Sequence, residues 1–155
     1  MAALNSTKNK FTLISICTCL LFIIDRLTKY FSFKLPPEGV FVSPNFGFKL
    51  YLNDGIAFSL PLAQLATIII SILIIISLLF FLIKNYQLKN NYFVPMALII
   101  IGAVSNVIDR LKFKGVVDFI DLWFIPAFNL PDVYIIVGIV WLIILINQRL
   151  PKIAE

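Results

Sequence analysis

From Leu62 to Ile83 the sequence carries no charged residue. A helix needs about 20 apolar residues to cross a ~30 Å hydrocarbon core, and this run supplies them alone. Three further apolar stretches, Phe11 to Ile24, Tyr92 to Ile108 and Val133 to Ile146, reach spanning length only by borrowing neighbours. The chain is 61% hydrophobic and 14% charged over 155 residues, against about 45–50% apolar and about 25% charged for soluble domains. A water-soluble fold of this size has no interior able to hide so much apolar surface, so lipid must cover it. The expected fold is an all-α membrane bundle of four transmembrane helices, with a small extracytoplasmic β-sheet and an interfacial segment. The spans are placed near 11–31, 61–83, 92–109 and 132–148, in a single domain over 1–155.

The first stretch has the basic start and apolar centre of a signal peptide, with Lys8 and Lys10 leading in. Its apolar centre runs into Asp25-Arg26-Leu27-Thr28-Lys29 rather than a small-residue cleavage site, so the segment reads as a retained helix. The sequence contains no histidine, which excludes imidazole metal sites and Ser-His-Asp triads. Cys17 and Cys19 are two apart on a helix and do not face each other; they read as small apolar packing residues. No metal, no cofactor and no nucleic-acid partner is expected. The net charge of +5 is explained by topology instead.

With the N-terminus in the cytoplasm, the inner segments hold Lys8, Lys10, Lys84, Lys89, Arg149 and Lys152, nearly bare of carboxylates. The outer basic residues, Arg26, Lys29, Lys34, Lys49, Arg110, Lys112 and Lys114, are interleaved with acids. The raw Lys/Arg numbers do not settle the orientation; the bare basic flanks favour both termini inside. The first, third and fourth helices then meet the outer leaflet at Asp25, Asp109 and Asp132. Extending these short helices draws the three acids towards one rim of the hydrocarbon. Ionisable groups there are costly and by default mark a functional site.

The two outer connections differ. Between Phe33 and Pro61 lie Pro36, Pro37, Pro44, Gly39, Gly47 and Gly55, around a short alternating stretch, Gly47 to Leu52, that suits a strand. The second, Arg110 to Pro131, contains Val116 to Ile125, which reads as an interfacial segment with aromatics at headgroup level.

Several polar groups gather at the rim. Asp25 and Lys29 are spaced to pair across one helical turn. Asn53-Asp54-Gly55 is a turn former, and alone would be only a hairpin. Asn106, Asp109 and Arg110 form a compact polar face at the end of the third helix. Asn129 and Asp132 suit an ordinary helix start, with Asn129 as cap, Pro131 in the first turn and Asp132 favoured by the dipole. Asp118 is harder to dismiss, because Val116-Val117 and Phe119-Ile120 surround it and neither charge balance nor solubility requires a carboxylate there.

Five motifs in order carry a family resemblance: Asp25-x-x-Thr28-Lys29, Asn53-x-Gly55-x-Ala57-Phe58-Ser59, Asn106-x-x-Asp109-Arg110, Val116-Val117-Asp118-Phe119 and Phe128-Asn129-x-x-Asp132. Together with the topology and length they resemble lipoprotein signal peptidase (signal peptidase II) over essentially the whole chain. The resemblance implies a monomeric aspartic endopeptidase of the bacterial cytoplasmic (inner) membrane, multi-pass, with its active site at the extracytoplasmic face. Its partners would be membrane lipid and lipid-modified prolipoproteins, which the family cuts before the diacylglyceryl-modified cysteine. The catalytic pair would map to Asp118 and Asp132. Supporting and substrate-binding residues would map to Asp25, Lys29, Asn53, Gly55, Asn106, Asp109, Arg110 and Asn129. The chain departs from the family pattern at Ile101 and Ser105, where glycines are usual, at Pro131, where alanine is usual, and at Val133, where a small hydroxyl residue is usual.

The residues fit that role on their own chemistry. Without histidine or an evident activated serine, a carboxylate pair and water are the simplest hydrolytic machinery. Two close carboxylates cannot both ionise cheaply and share a proton. Arg110 beside Asp109, and Lys29 beside Asp25, would keep those two acids charged. The alternative, a small non-enzymatic proton- or ion-conducting membrane protein, needs polar groups through the full bilayer. The inner halves of the spans hold none that are charged. A purely structural subunit would leave Asp109 and Asp118 without a purpose.

Overall fold

The computed structural model describes residues 2–55, 64–84 and 92–148. Ala57-Phe58-Ser59 of the second motif, residues 61–63 at the start of the second span, and Lys89, Arg149 and Lys152 lie outside them. Helix α1 (Ala2–Ser32) carries Asp25 and Lys29 well inside its last turns. Beyond Ser32, whose hydroxyl donates back to the Lys29 carbonyl at 2.8 Å, Pro36 and Pro37 prevent continuation. Helix α2 (Gln64–Lys84) and helix α4 (Leu130–Asn147) lie over the second and fourth apolar stretches. Helix α3 (Phe93–Phe113) is longer than expected. It passes through Asp109 and Arg110 and stops only where Lys114 takes φ 60 and its N–H returns to the Arg110 carbonyl. The polar face of the third motif is thus inside a helix, not at its end.

Three of the described helices, over Leu65–Lys84, Phe93–Phe113 and Leu130–Asn147, are long and apolar enough to cross a membrane. On α2 only Thr67 is buried among the described side chains, while Leu65, Phe80 and Ile83 are each more than 60% exposed. α2 packs on α3 along one side only, and a helix apolar all round with most of its surface uncovered by protein is one that lipid suits.

α3 packs against α4 through reciprocal glycines. A Cβ on Gly102 would stand 2.6 Å from the Pro131 carbonyl oxygen, and one on Gly138 would stand 2.6 Å from that of Pro95. The hydrogen side chains let the two backbones approach closely, as small residues do between membrane helices. This contact fixes the start of α4, and with it Asp132, against the middle of α3.

At one end of the helices lies an antiparallel sheet in the order β1-β2-β3-β4, built from β1 (Val40–Ser43), β2 (Phe46–Asn53), β3 (Val116–Leu122) and β4 (Ile125–Phe128). β2 contains the expected Gly47–Leu52 strand. The Val116–Ile125 stretch corrects the sequence reading. It forms the inner strand β3 and the turn into β4, where an irregular surface segment was expected, with Trp123 and Phe124 left strongly exposed. β3 is flanked by β2 and β4 and packs on α1 and α3, so its first residues are buried on both faces. Such a strand is a continuous apolar run without alternation, and periodicity cannot identify it.

Register separates two acids. Asp118 stands opposite Tyr51 and Asp121 opposite Gly47, the irregularity between Phe48 and Tyr51 being an extra residue in β2. β3 itself is regular there, so residues three apart point to opposite faces.

Candidate active site

Asp118 and Asp132 come from different elements and meet through two asparagines. The Asn129 side-chain amide donates to Asp118 Oδ1 at 2.7 Å, and its backbone N–H donates to Asp132 Oδ2 at 3.1 Å. The Asn129 side-chain carbonyl oxygen in turn accepts from the Asp132 backbone N–H at 3.0 Å, closing a capping box at the start of α4. The helix-cap reading of Asn129, Pro131 and Asp132 therefore holds, and the cap is also part of the acid cluster. Asn106, on α3, donates to Asp132 Oδ1 at 2.9 Å and accepts from Asn129 at 3.3 Å. Asn53, at the end of β2, donates to Asp118 Oδ2 at 3.0 Å. Each candidate acid thus receives an amide on both of its oxygens.

Asp118 is buried, at 2% exposure. Burial, reinforced by the negative charge of Asp132, raises its carboxyl from 3.8 to about 7, against the opposing hydrogen bonds of Asn53 and Asn129 and the charge of Lys29. A carboxyl poised there can carry or release a proton near neutral pH, as general acid–base chemistry requires. Asp121 is different. It faces away, accepts from the Tyr51 hydroxyl at 2.6 Å, and raises that phenol to about 12, so Tyr51 remains a donor throughout the physiological range.

Next to the acids lies a buried charge cluster. Asp25 and Asp109 are fully buried. Lys29 Nζ approaches Asp109 Oδ2 at 2.6 Å and Asp25 Oδ1 at 3.3 Å. The latter is an ion contact, since that oxygen has no hydrogen-bond partner. The expected Asp25–Lys29 pair is present, and Arg110 lies within the electrostatic field of Asp109 as expected. The cations on Asp109 are Lys29 and Arg26, with Arg26 Nη1 at 2.9 Å from Asp109 Oδ1. The guanidinium of Arg26 also folds back onto Asp25 Oδ2. Two carboxylates against two cations make the cluster neutral, the condition for burying charge at all. Removing one partner of such a buried pair costs about 3–5 kcal/mol. Asp109 Oδ2 also accepts the Val117 backbone N–H at 3.3 Å, tying the cluster to β3 beside Asp118.

Arg110 instead reaches the Gly55 carbonyl at 3.3 Å and lies within the electrostatic field of Asp132, Asp118 and Asp109. Gly55 is buried and donates its N–H to the Asn53 side chain at 3.1 Å, the side-chain-to-backbone turn anticipated for Asn53-Asp54-Gly55; Asp54 between them is exposed. All ten sequence-selected residues therefore join one polar region where α1, α3, α4, β2 and β3 converge. Sequence reasoning missed Arg26 and Ser105. Ser105 Oγ donates to Asp25 and accepts from Arg26 and, at 3.3 Å, from Lys29. The signal available was its spacing, one helical turn before Asp109. Among the described residues no group of three or more carboxylates or cysteines is placed to hold a metal ion.

The arrangement is a buried acid, Asp118, and a half-buried one, Asp132, both oriented by amides and with cations alongside. A model of the family described as Signal peptidase (SPase) II matches residues 17–148. The chain is 36% identical to a lipoprotein signal peptidase of Clostridium tetani over 136 residues, covering 82% of this chain and 87% of that one. It is 39% identical to one of Thermodesulfovibrio yellowstonii over 136 residues, covering 81% and 88%. Two bacterial membrane enzymes solved by the in meso method share the architecture. One has a TM-score of 0.82 at 28% identity, covering 93% of each chain; the other has 0.75 at 29%, covering 92% and 95%. The chain belongs to the signal peptidase II family.

Proposed function

We propose that this protein removes the signal peptide from prolipoproteins, cutting before the diacylglyceryl-modified cysteine, and that it does so as an aspartic endopeptidase through Asp118 and Asp132. The observation that carries the reading is the bridge through Asn129, which orients both acids from one side chain and one backbone N–H. In the pair, one carboxylate is ionised and the other protonated. The ionised member takes a proton from water as its oxygen bonds to the scissile carbonyl carbon. The protonated member gives its proton to the carbonyl oxygen. When the tetrahedral adduct collapses, the C–N bond breaks, the cysteine nitrogen leaves with the proton first taken from water, and the proton given to the carbonyl oxygen returns to its carboxylate as the new C=O forms. Asn106, Asn129 and Asn53 hold the acids in place, while Lys29 and Arg110 limit the negative charge that develops nearby. Gly55 lets backbone come close to the substrate.

The same reading places four spans in the cytoplasmic membrane, with α1 as the first, both termini inside and the acids at the extracytoplasmic rim. The enzyme acts as a monomer without a cofactor. The sheet would then lie outside, against the peptide as it leaves the bilayer. The test is cleavage of a diacylglyceryl-modified prolipoprotein by the detergent-purified protein, run beside alanine variants of Asp25, Asp54, Asp109, Asp118, Asp121 and Asp132. Loss confined to Asp25, Asp109, Asp118 and Asp132 is the expected pattern. Full activity in the Asp118 or Asp132 variant would refute the assignment.

A further inference from the structure

Arg26 and Ser105 belong to none of the roles above, yet they sit at the centre of the buried charges. Arg26 Nε and Nη2 both donate to Asp25 Oδ2, at 3.0 and 2.6 Å, and Nη1 donates to Asp109 Oδ1 at 2.9 Å. The fourth contact of the guanidinium is the Ser105 hydroxyl. Its outer side is covered by the Phe22 ring, 5.5 Å from Cζ to the centroid. A planar fork of several fixed donors satisfies three acceptors on two helices at once and sets their directions, which the freely turning ammonium of Lys29 does not. Ser105, fully buried at 1% exposure, accepts from both cations and donates to Asp25. The hydroxyl is thus the one neutral group touching three of the four charges.

We propose that Arg26 and Ser105 form a positioning pair that aligns Asp109, and through Asp109 the segment of β3 bearing Asp118. Asp109 is the connection. Its Oδ1 takes Arg26, and its Oδ2 takes Lys29 together with the Val117 N–H. The Val117 carbonyl accepts from the same Asn129 amide that holds Asp118. A rotation of the Asp109 carboxylate therefore moves the residue adjoining Asp118 and the amide that orients it. Arg26 fixes that rotation from one side, and Lys29 alone would leave it shared between Asp25 and Asp109. Ser105 lies one helical turn before Asp109 on α3. Its hydroxyl occupies the place where Arg26 Nη2 would otherwise lack an acceptor on α3. The two residues touch neither acid of the pair, so their effect on the reaction is transmitted, not direct.

The inference rests on the aspartic pair proposed above, and the experiment separates the two. Arg26→Gln, Ser105→Gly, the double variant and Arg26→Lys are purified in detergent. Their kcat and KM are measured on a diacylglyceryl-modified prolipoprotein, with Asp118→Asn alongside. Residues acting as one unit give non-additive losses. Arg26→Gln should lower kcat about 10-fold with KM unchanged, Ser105→Gly about 3-fold, and the double variant should be no worse than Arg26→Gln alone. Arg26→Lys, which keeps the charge and part of the reach, should recover at least about threefold over Arg26→Gln. Ser105→Gly retains every charge, so it reports on the pair even if Arg26→Gln inserts poorly. Losses that multiply in the double variant, or a raised KM at unchanged kcat, overturn the positioning pair while Asp118→Asn stays inactive. An active Asp118→Asn overturns the catalytic pair instead, whatever the coupling between Arg26 and Ser105.

Discussion

Asn129 holds Asp118 by its side-chain amide at 2.7 Å and, in the same residue, caps the helix whose third position is Asp132. A capping box is ordinary at a helix start. Here its amide has a second use, because Asn129 is fully buried and its remaining donor capacity is spent on an acid from the neighbouring strand. One helix cap thus holds both carboxyl groups, and the proposed mechanism would inherit that rigidity.

The first prediction concerns the pair and its near neighbour. Asp118→Asn and Asp132→Asn should each lose at least about 10²-fold in cleavage rate, and the double variant should be little worse, since a pair acting together is non-additive. Substrate binding should survive in both, because proton transfer is removed and the pocket is not. Asp121→Asn should keep most activity, because β3 turns that carboxylate to the other face, where Tyr51 holds it. A dead Asp121→Asn beside an active Asp118→Asn would reverse the assignment.

The second is a pH dependence. With Asp118 raised to about 7 by burial and by Asp132, the pair keeps its single proton below that value and loses it above. Cleavage should therefore fall as pH rises through about 7. The Asn53 hydrogen bond favours the charged form of Asp118, so Asn53→Ala should move the alkaline limb to higher pH. Movement to lower pH would mean that Asn53 acts some other way. Stability follows the same sign. A carboxyl raised on folding binds more protons in the native state, so folding loses stability as pH climbs from 3.8 to about 7. Thermal melts of Asp118→Asn should show less of that loss.

Gly55 tests the turn. Its N–H is held by Asn53 and its carbonyl by Arg110, with the residue buried beside the acids. Gly55→Val should abolish cleavage while the protein still inserts and folds. A normal rate would reduce the segment to a connector between β2 and α2.

Orientation can be read by fusions. A reporter active only outside the cytoplasm should be active near Glu38 or Lys114 and silent after Lys84 or at Glu155. The opposite pattern would place the acids on the cytoplasmic side and end the rim argument.

The apolar runs and their lengths dictated the spanning helices, because lipid forces every backbone group in the core to be satisfied within its own helix. The turn at Asn53-Asp54-Gly55, the cap at Asn129 and the strand around Gly47–Leu52 were equally legible, since local chemistry decides each. The order of Asp25, Asn53, Asn106, Asp118 and Asp132 along the chain named the site by resemblance. The nature of β3, by contrast, was hidden from the sequence. A strand covered on both faces loses the alternation that marks strands, so Val116–Leu122 looked like a segment lying on the membrane. Nor could the sequence show which cation serves which acid. Arg110 adjoins Asp109 in sequence and acts on it through its field, yet the cations hydrogen-bonded to Asp109 come from a turn of α1 more than 75 residues away. That pairing exists only because α1 and α3 pack side by side and bury the same polar face.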